Sequence, residues 1–170
     1  MTEVNGLPAL SLKGRAFDVL SPILVAGRVF YGAMIGSATM EEKNTVRILV
    51  ADDNASVRRY LRGILEQHED WRVCDEAGNG QEAIDRFRTD RPDLILLDFR
   101  MPEMNGLDAA KAIAQLSPKT PILIMSLYLS RQLSEEARKV GARGACSKTD
   151  VRSVVDAVGA LLREETYFPN

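Results

Sequence analysis

Five polar residues of this chain stand where apolar runs stop: Asp52 and Asp53 after ILVA, Asp98 after LILL, Ser126 after ILIM and Lys148 after GACS. Each has an ordinary explanation alone. ADDN reads as a turn or helix cap, Asp98 precedes a turn, Ser126 could cap a helix, and Lys148 could be a solvated charge before Asp150. Their coincidence is the signal. Carboxylates about 5 Å apart at an effective dielectric near roughly 20 repel by about 3 kcal/mol per pair, so three together call for a cation. One histidine and two cysteines make no cluster for a soft metal. A hard divalent ion with oxygen ligands fits, Mg2+ or Mn2+ in its place, and Mg2+ characteristically takes one or two carboxylates, waters and a substrate phosphate. That points to phosphoryl chemistry. An aspartate beside Mg2+ and a lysine is placed to attack a phosphoryl group, because the two cations offset the charge that would repel the donor. Asp98 is the expected nucleophile. The Met101-Pro102 and Asn105-Gly106 turns are expected to shape the following loop so that a backbone carbonyl faces the metal, with Gly106 releasing the chain into a helix.

The elements that must position these residues alternate. VRILVA is a buried-type strand, followed by a helix with Val57, Leu61, Ile64 and Leu65 on one face and Ser56 as its expected cap. WRVCDEA is a more polar strand suited to a sheet edge, and GQEAIDRF is helical. DLILLD and PILIMS are continuous apolar strands, GLDAAKAIAQL and RQLSEEARKV helices, and GACS a short strand. Val151, Val154, Val155, Val158, Leu161 and Leu162 form the stripe of a last helix. Five strand-helix repeats with strands apolar on both faces predict an α/β fold with a parallel sheet covered on both sides. In such a sheet ligands sit beyond the carboxyl ends of the strands, where the five polar residues stand.

Composition narrows the function classes. The chain has 170 residues, 45% hydrophobic and 27% charged, the balance of a soluble globular chain, and the cytoplasm is the expected compartment. A formal net charge of -2 leaves no basic stripe, so direct nucleic-acid binding by this domain is not expected. Residues 1–44 differ from the rest: short apolar runs such as VLSPILVAG and VFYGAMIGSATM show no clear period, and Asp18 and Arg28 interrupt any membrane span. They read as an N-terminal extension of unassigned role, disordered or preceding a true start at Met40. The domain is expected over 45–166, with 167–170 as linker or tail.

Three motifs compete with the phosphoryl reading. GNGQEA, Gly78 to Ala83, fits a dinucleotide fingerprint with Asp98 following at a suitable distance, but its strand carries Asp75 and Glu76 and it leaves Asp52, Asp53 and Lys148 unexplained. GACSKT lacks the glycine before lysine that a P-loop needs. Aspartate-based phosphatases place a second aspartate two residues after the nucleophile, where this chain has Arg100. His68, in polar EQHEDW, reads as a solvated loop residue.

The motifs ILVADDN, LILLDFRMPEMNG, ILIMS and SK together resemble the receiver domain of two-component response regulators over residues 46 to about 165. AGNGQEAI, RPDLILLD and GARGACSKTD are most similar to the NarL/LuxR group, whose members usually continue into a helix-turn-helix domain; YFPN stands where that linker would begin. The resemblance implies a CheY-like, flavodoxin-like five-stranded parallel sheet in the order 2-1-3-4-5. It implies that Asp98 takes a phosphoryl group from a sensor histidine kinase or phosphotransfer protein. Asp53, Asp98 and the Arg100 carbonyl would bind Mg2+, Asp52 would hold the metal's water, and Lys148 would pair with the phosphoryl oxygens. Ser126 would swing toward the phosphoryl group and shift the face of the fourth and fifth helices and fifth strand, with homodimerisation as a further consequence. Such a protein is a switch that catalyses its own phosphorylation and turns over no external substrate.

This chain departs from the family at two places. Ala145 replaces the aromatic usual three residues before the lysine, and Thr149 replaces the proline usual after it. Arg100 and Tyr128, bulky at positions that control water access in the family, imply slow loss of phosphate. A receiver-shaped module that no longer uses phosphate is the alternative. The 2-1-3-4-5 order also puts Cys74 and Cys146 on opposite edge strands, too far apart to pair.

Overall fold

The computed structural model describes residues 22–25, 28–31 and 45–169. The chain divides between Met40 and Glu41. In the first unit β1 (Pro22–Val25) and β2 (Arg28–Tyr31) form an antiparallel pair, with Pro22 opposite Tyr31 and Val25 opposite Arg28. The sequence reading found no period there, and four residues per strand are too few to display one. What was expected of the rest of residues 1–44 lies outside the described residues.

The second unit alternates strand and helix: β3 (Val46–Ala51), α1 (Ala55–Leu65), β4 (Trp71–Ala77), α2 (Gly80–Asp90), β5 (Leu94–Asp98), α3 (Gly106–Leu116), β6 (Ile122–Ser126), α4 (Arg131–Lys139), β7 (Gly144–Ser147) and α5 (Val151–Leu162). The strands are parallel in the order β4-β3-β5-β6-β7, which is 2-1-3-4-5 counted within this sheet. The polar β4 is an edge, while β5 and β6 are buried at every residue.

Successive strand side chains point to opposite faces, and the core divides accordingly. Leu49, Ile95, Leu97 and Ile124 pack with Phe87 of α2, Ile113 of α3 and Ala137 of α4. Ile48, Val50, Leu94 and Leu96 pack with Leu61 and Leu65 of α1 and Val154, Val158 and Leu161 of α5. Each of the larger side chains, Val, Leu, Ile or Phe, contributes about 1.5–3 kcal/mol on burial, so the two layers fix where the strand ends lie.

Polar caps then start the helices next to those ends. Asn79, Asn105, Ser130 and Asp150 each accept a backbone N–H of the first turn. For α1 the expected cap Ser56 is corrected to Asn54, whose side chain accepts the Ser56 N–H at 2.9 Å. The helix therefore begins one residue after the cap and leaves only a short loop behind Asp52. Cys74 and Cys146 lie on the edge strands β4 and β7, and both are free. Burial pushes the Cys146 thiol up to about 12.

Beyond α5, Tyr167 forms a parallel bridge with Gly144. The Ala145 N–H donates to the Tyr167 carbonyl at 2.8 Å, and the Tyr167 N–H donates to the Arg143 carbonyl at 3.0 Å.

Candidate functional site

Asp52 follows β3 and is fully buried. Its N–H donates to the Ala77 carbonyl at 3.0 Å, and its carboxylate accepts the Asn54 N–H at 2.9 Å. The Asp52 carbonyl accepts from the Arg58 guanidinium at 2.7 Å, and Arg58 also donates to Glu76 at 3.0 Å. Burial alone would raise the Glu76 carboxyl, but Arg62 and Arg58 outweigh it and hold it below the usual range. The acidic loop is thus tied to both α1 and β4. Asp53 is exposed and has no ion-pair partner among the described residues.

Asp98 ends β5 and is 4% exposed. The Lys148 Nζ stands 3.0 Å from its Oδ2 and 2.7 Å from Asp52 Oδ2. Burial pushes the Asp98 carboxyl above its ordinary value; the hydrogen bond and charge of Lys148 pull it down, and the Asp52 charge adds to the rise. For Lys148, burial favours the neutral amine, yet the two carboxylates outweigh it and hold the ammonium above its usual value. The Arg100 N–H also hydrogen-bonds to Asp98, while the Arg100 side chain is exposed.

Ser126 ends β6 and is 5% exposed. Its hydroxyl donates to the Tyr128 carbonyl at 3.1 Å and takes the Tyr128 N–H at 3.3 Å, so it is engaged with its own loop rather than with the carboxylates. Its carbonyl accepts the Lys148 N–H at 2.8 Å, tying the ends of β6 and β7 together. Tyr128 is 83% exposed beside it. Ala145 is fully buried, Thr149 is exposed, and no peptide bond among the described residues is cis.

The loop after Asp98 is held at both ends. Met101 is buried, and Asn105 caps α3 by accepting the Asp108 N–H at 2.9 Å. A Cβ on Gly106 would collide with the Asp98 carbonyl oxygen, so the need for glycine is close approach beneath Asp98. The sequence reading gave Gly106 the role of releasing the chain. Arg58 is a positioning residue that the sequence does not reveal, because no local pattern links it to Glu76 across 18 residues.

The residues fit a hard divalent ion. One carboxylate oxygen from each of Asp52, Asp53 and Asp98 lies within 4.8 Å of the others, an all-oxygen set with one member exposed for entry. The rival motifs do not form their sites. The Gly80 N–H that would cradle a pyrophosphate donates to the Met104 carbonyl at 3.1 Å, and a Cβ there would lie 2.6 Å from that oxygen. GACS is strand β7, not a phosphate loop. His68 is exposed and stacks on Trp71 with centroids 4.0 Å apart.

Residues 48–158 match the response regulator receiver domain. The chain belongs to the response regulator receiver family. Receivers of this family are phosphoacceptor switches of two-component signalling, and such domains typically bind Mg2+ at an acidic pocket. The chain is similar to chemotaxis protein CheY of Thermotoga maritima, 37% identical over 97 residues, which cover 57% of this chain and 80% of that protein. It is 33% identical over 127 residues to the uncharacterized transcriptional regulatory protein YxjL of Bacillus subtilis, covering 74% of this chain but only 58% of the relative. Among solved structures, a LuxR-family two-component response regulator from Aurantimonas sp. SI85-9A1 superposes with a TM-score of 0.70 at 29% identity, covering 72% of this chain and 89% of that chain. No helix follows α5 among the described residues, and none is long and apolar enough to cross a membrane.

Proposed function

We propose that this receiver is switched by phosphorylation of Asp98. The observation that carries the reading is a buried carboxylate at a strand end, 3.0 Å from an ammonium and within 4.8 Å of two further carboxylates. An Asp98 oxygen forms the new bond to phosphorus as the phosphorus–nitrogen bond of a donor phosphohistidine breaks. The imidazole leaves with that electron pair and carries a proton. Lys148 pairs with the phosphoryl oxygens and keeps Asp98 and the phosphoryl group from repelling each other. Asp53, Asp98 and the Arg100 carbonyl would hold Mg2+, and Asp52 would hold its water. The bound ion supplies positive charge against the transferring phosphoryl oxygens.

Ser126 has one hydroxyl proton, and it now lies on the Tyr128 carbonyl. Donating it to the phosphoryl group releases the loop that leads into α4 and shifts the face built from α4, β7 and α5. The partners are a sensor histidine kinase or a phosphotransfer protein in the cytoplasm, and phosphorylated copies pair through that face. The only chemistry assigned is the switch's own phosphorylation and dephosphorylation.

The test is phosphotransfer from radiolabelled phosphoramidate, whose phosphorus–nitrogen bond imitates phosphohistidine. Label that appears with Mg2+ and is removed by hydroxylamine, which cleaves acyl phosphates, supports the reading. Hydroxylamine-resistant label, as on a serine, overturns it.

A further inference from the structure

The residues after α5 do more than continue the chain. Glu164, at φ 63°, turns the backbone, and the Glu165 N–H bonds back to the Ala160 carbonyl at 3.0 Å. Tyr167 then sits on the open edge of β7 in a single parallel bridge with Gly144, and the Tyr167 and Phe168 side chains pack on opposite faces of the sheet. Tyr167 packs on the layer of α1 and α5, with its hydroxyl 3.2 Å from the Ser153 Oγ of α5. Phe168 packs on the layer of α2, α3 and α4, under the Arg138 guanidinium of α4 at 3.9 Å. Three elements, α4, β7 and α5, are therefore joined by two consecutive residues.

We propose that Tyr167–Phe168 is a strap whose seating on β7 opposes the phosphorylated state, so that phosphorylation of Asp98 loosens it. The proposal rests on the phosphoacceptor reading above. Ser126 cannot give its proton to a phosphoryl group and keep the Tyr128 carbonyl. When it lets go, the loop of residues 127–130 is freed and α4 shifts, carrying Arg138 with it. Tyr167 is bonded through its backbone to Ala145 of β7 and to Arg143 just before it and does not travel with α4, so Arg138 leaves Phe168, and the backbone bonds lose the side-chain contact that helps keep them closed. A contact made in one state only biases the equilibrium toward that state, and the bias is reciprocal: phosphorylation weakens the strap, and a weakened strap favours phosphorylation. β7 is the strand in which Ala145 stands. The strap brings two aromatic rings to the edge of a strand that has none of its own.

The experiment is amide hydrogen exchange on the whole 170-residue chain, with and without acetyl phosphate and Mg2+, with intact mass read on the same samples. The reporters are the Ala145 and Tyr167 amides, which bond across the strap, and the Val50 and Leu96 amides report the centre of the sheet. Where the mass shows phosphorylation, exchange at the two strap amides rises about tenfold and the sheet centre is unchanged. Phe168→Ala already exchanges fast at those amides without phosphate and reaches a higher phosphorylated fraction. A phosphorylated protein whose strap amides keep their protection overturns the strap. Failure of the mass to rise overturns the phosphoacceptor reading instead, and the coupling with it.

Discussion

The ammonium of Lys148 stands 3.0 Å from the Asp98 carboxylate and 2.7 Å from that of Asp52, so one cation serves two buried anions. Removing it leaves both uncompensated. Lys148→Ala is predicted to lower unfolding free energy by about 3 kcal/mol, and Mg2+ recovers part of the loss by taking the place of the missing charge. Urea unfolding with and without Mg2+ checks this. A variant as stable as wild type would show that the pair carries little.

Asp98 has a stability cost with a definite pH dependence. Its carboxyl is raised above the ordinary 3.8 by burial first, so the folded protein holds that proton more tightly than the unfolded chain. The contribution to stability is full below 3.8 and is lost as pH rises through the raised folded value, leaving the charged form disfavoured at neutral pH. Asp98→Asn is predicted to raise stability at pH near 7 by about 1 kcal/mol, or about 3–5 °C in Tm, and the difference shrinks as pH falls. Thermal scans between roughly pH 4.5 and 8 measure it. A gain that grows on acidification would have the wrong sign.

The two neighbouring aspartates should separate by experiment. Asp53 is exposed and unpaired among the described residues, so Asp53→Asn should leave stability within about 0.5 kcal/mol while weakening Mg2+ binding at least about tenfold. Asp52 is buried and bonded to Lys148, so Asp52→Asn should lower stability as well. Calorimetric Mg2+ titration beside urea unfolding distinguishes them. Equal effects of both on stability would contradict the division.

Much of this was legible in the sequence, and the rest was hidden for identifiable reasons. Buried strands carry their own signal, since LILLD and ILIMS have no polar residue until the one that ends them. The polar WRVCDEA marked itself as an edge, which β4 is, while the full strand order came from the resemblance to receiver domains. Caps are less determinate, because Asn54 and Ser56 are both good caps and the choice depends on where Asp52 is held. The Arg58–Glu76 tie and the seat of Tyr167 and Phe168 are contacts between distant segments, which periodicity does not report. Ser126 was assigned to the site by its place in the chain; the direction of its hydroxyl, toward Tyr128, is set by a rotamer.

Gly106 makes the loop geometry testable. A methyl there meets the Asp98 carbonyl oxygen, and backbone on both sides has little room to give. Gly106→Ala is predicted to cost about 2–3 kcal/mol and to slow phosphorylation from acetyl phosphate, because the strand end must move. Chemical unfolding and a phosphorylation time course read the two effects. Normal stability in the variant would place the loop elsewhere.

The most direct measurement is intact mass after incubation with Mg2+ and acetyl phosphate, on wild type and on Asp98→Asn. Phosphorylation at Asp98 predicts a gain of about 80 Da, one phosphoryl group, in wild type alone. A gain in both proteins, or in neither while Mg2+ is shown to bind, would contradict it.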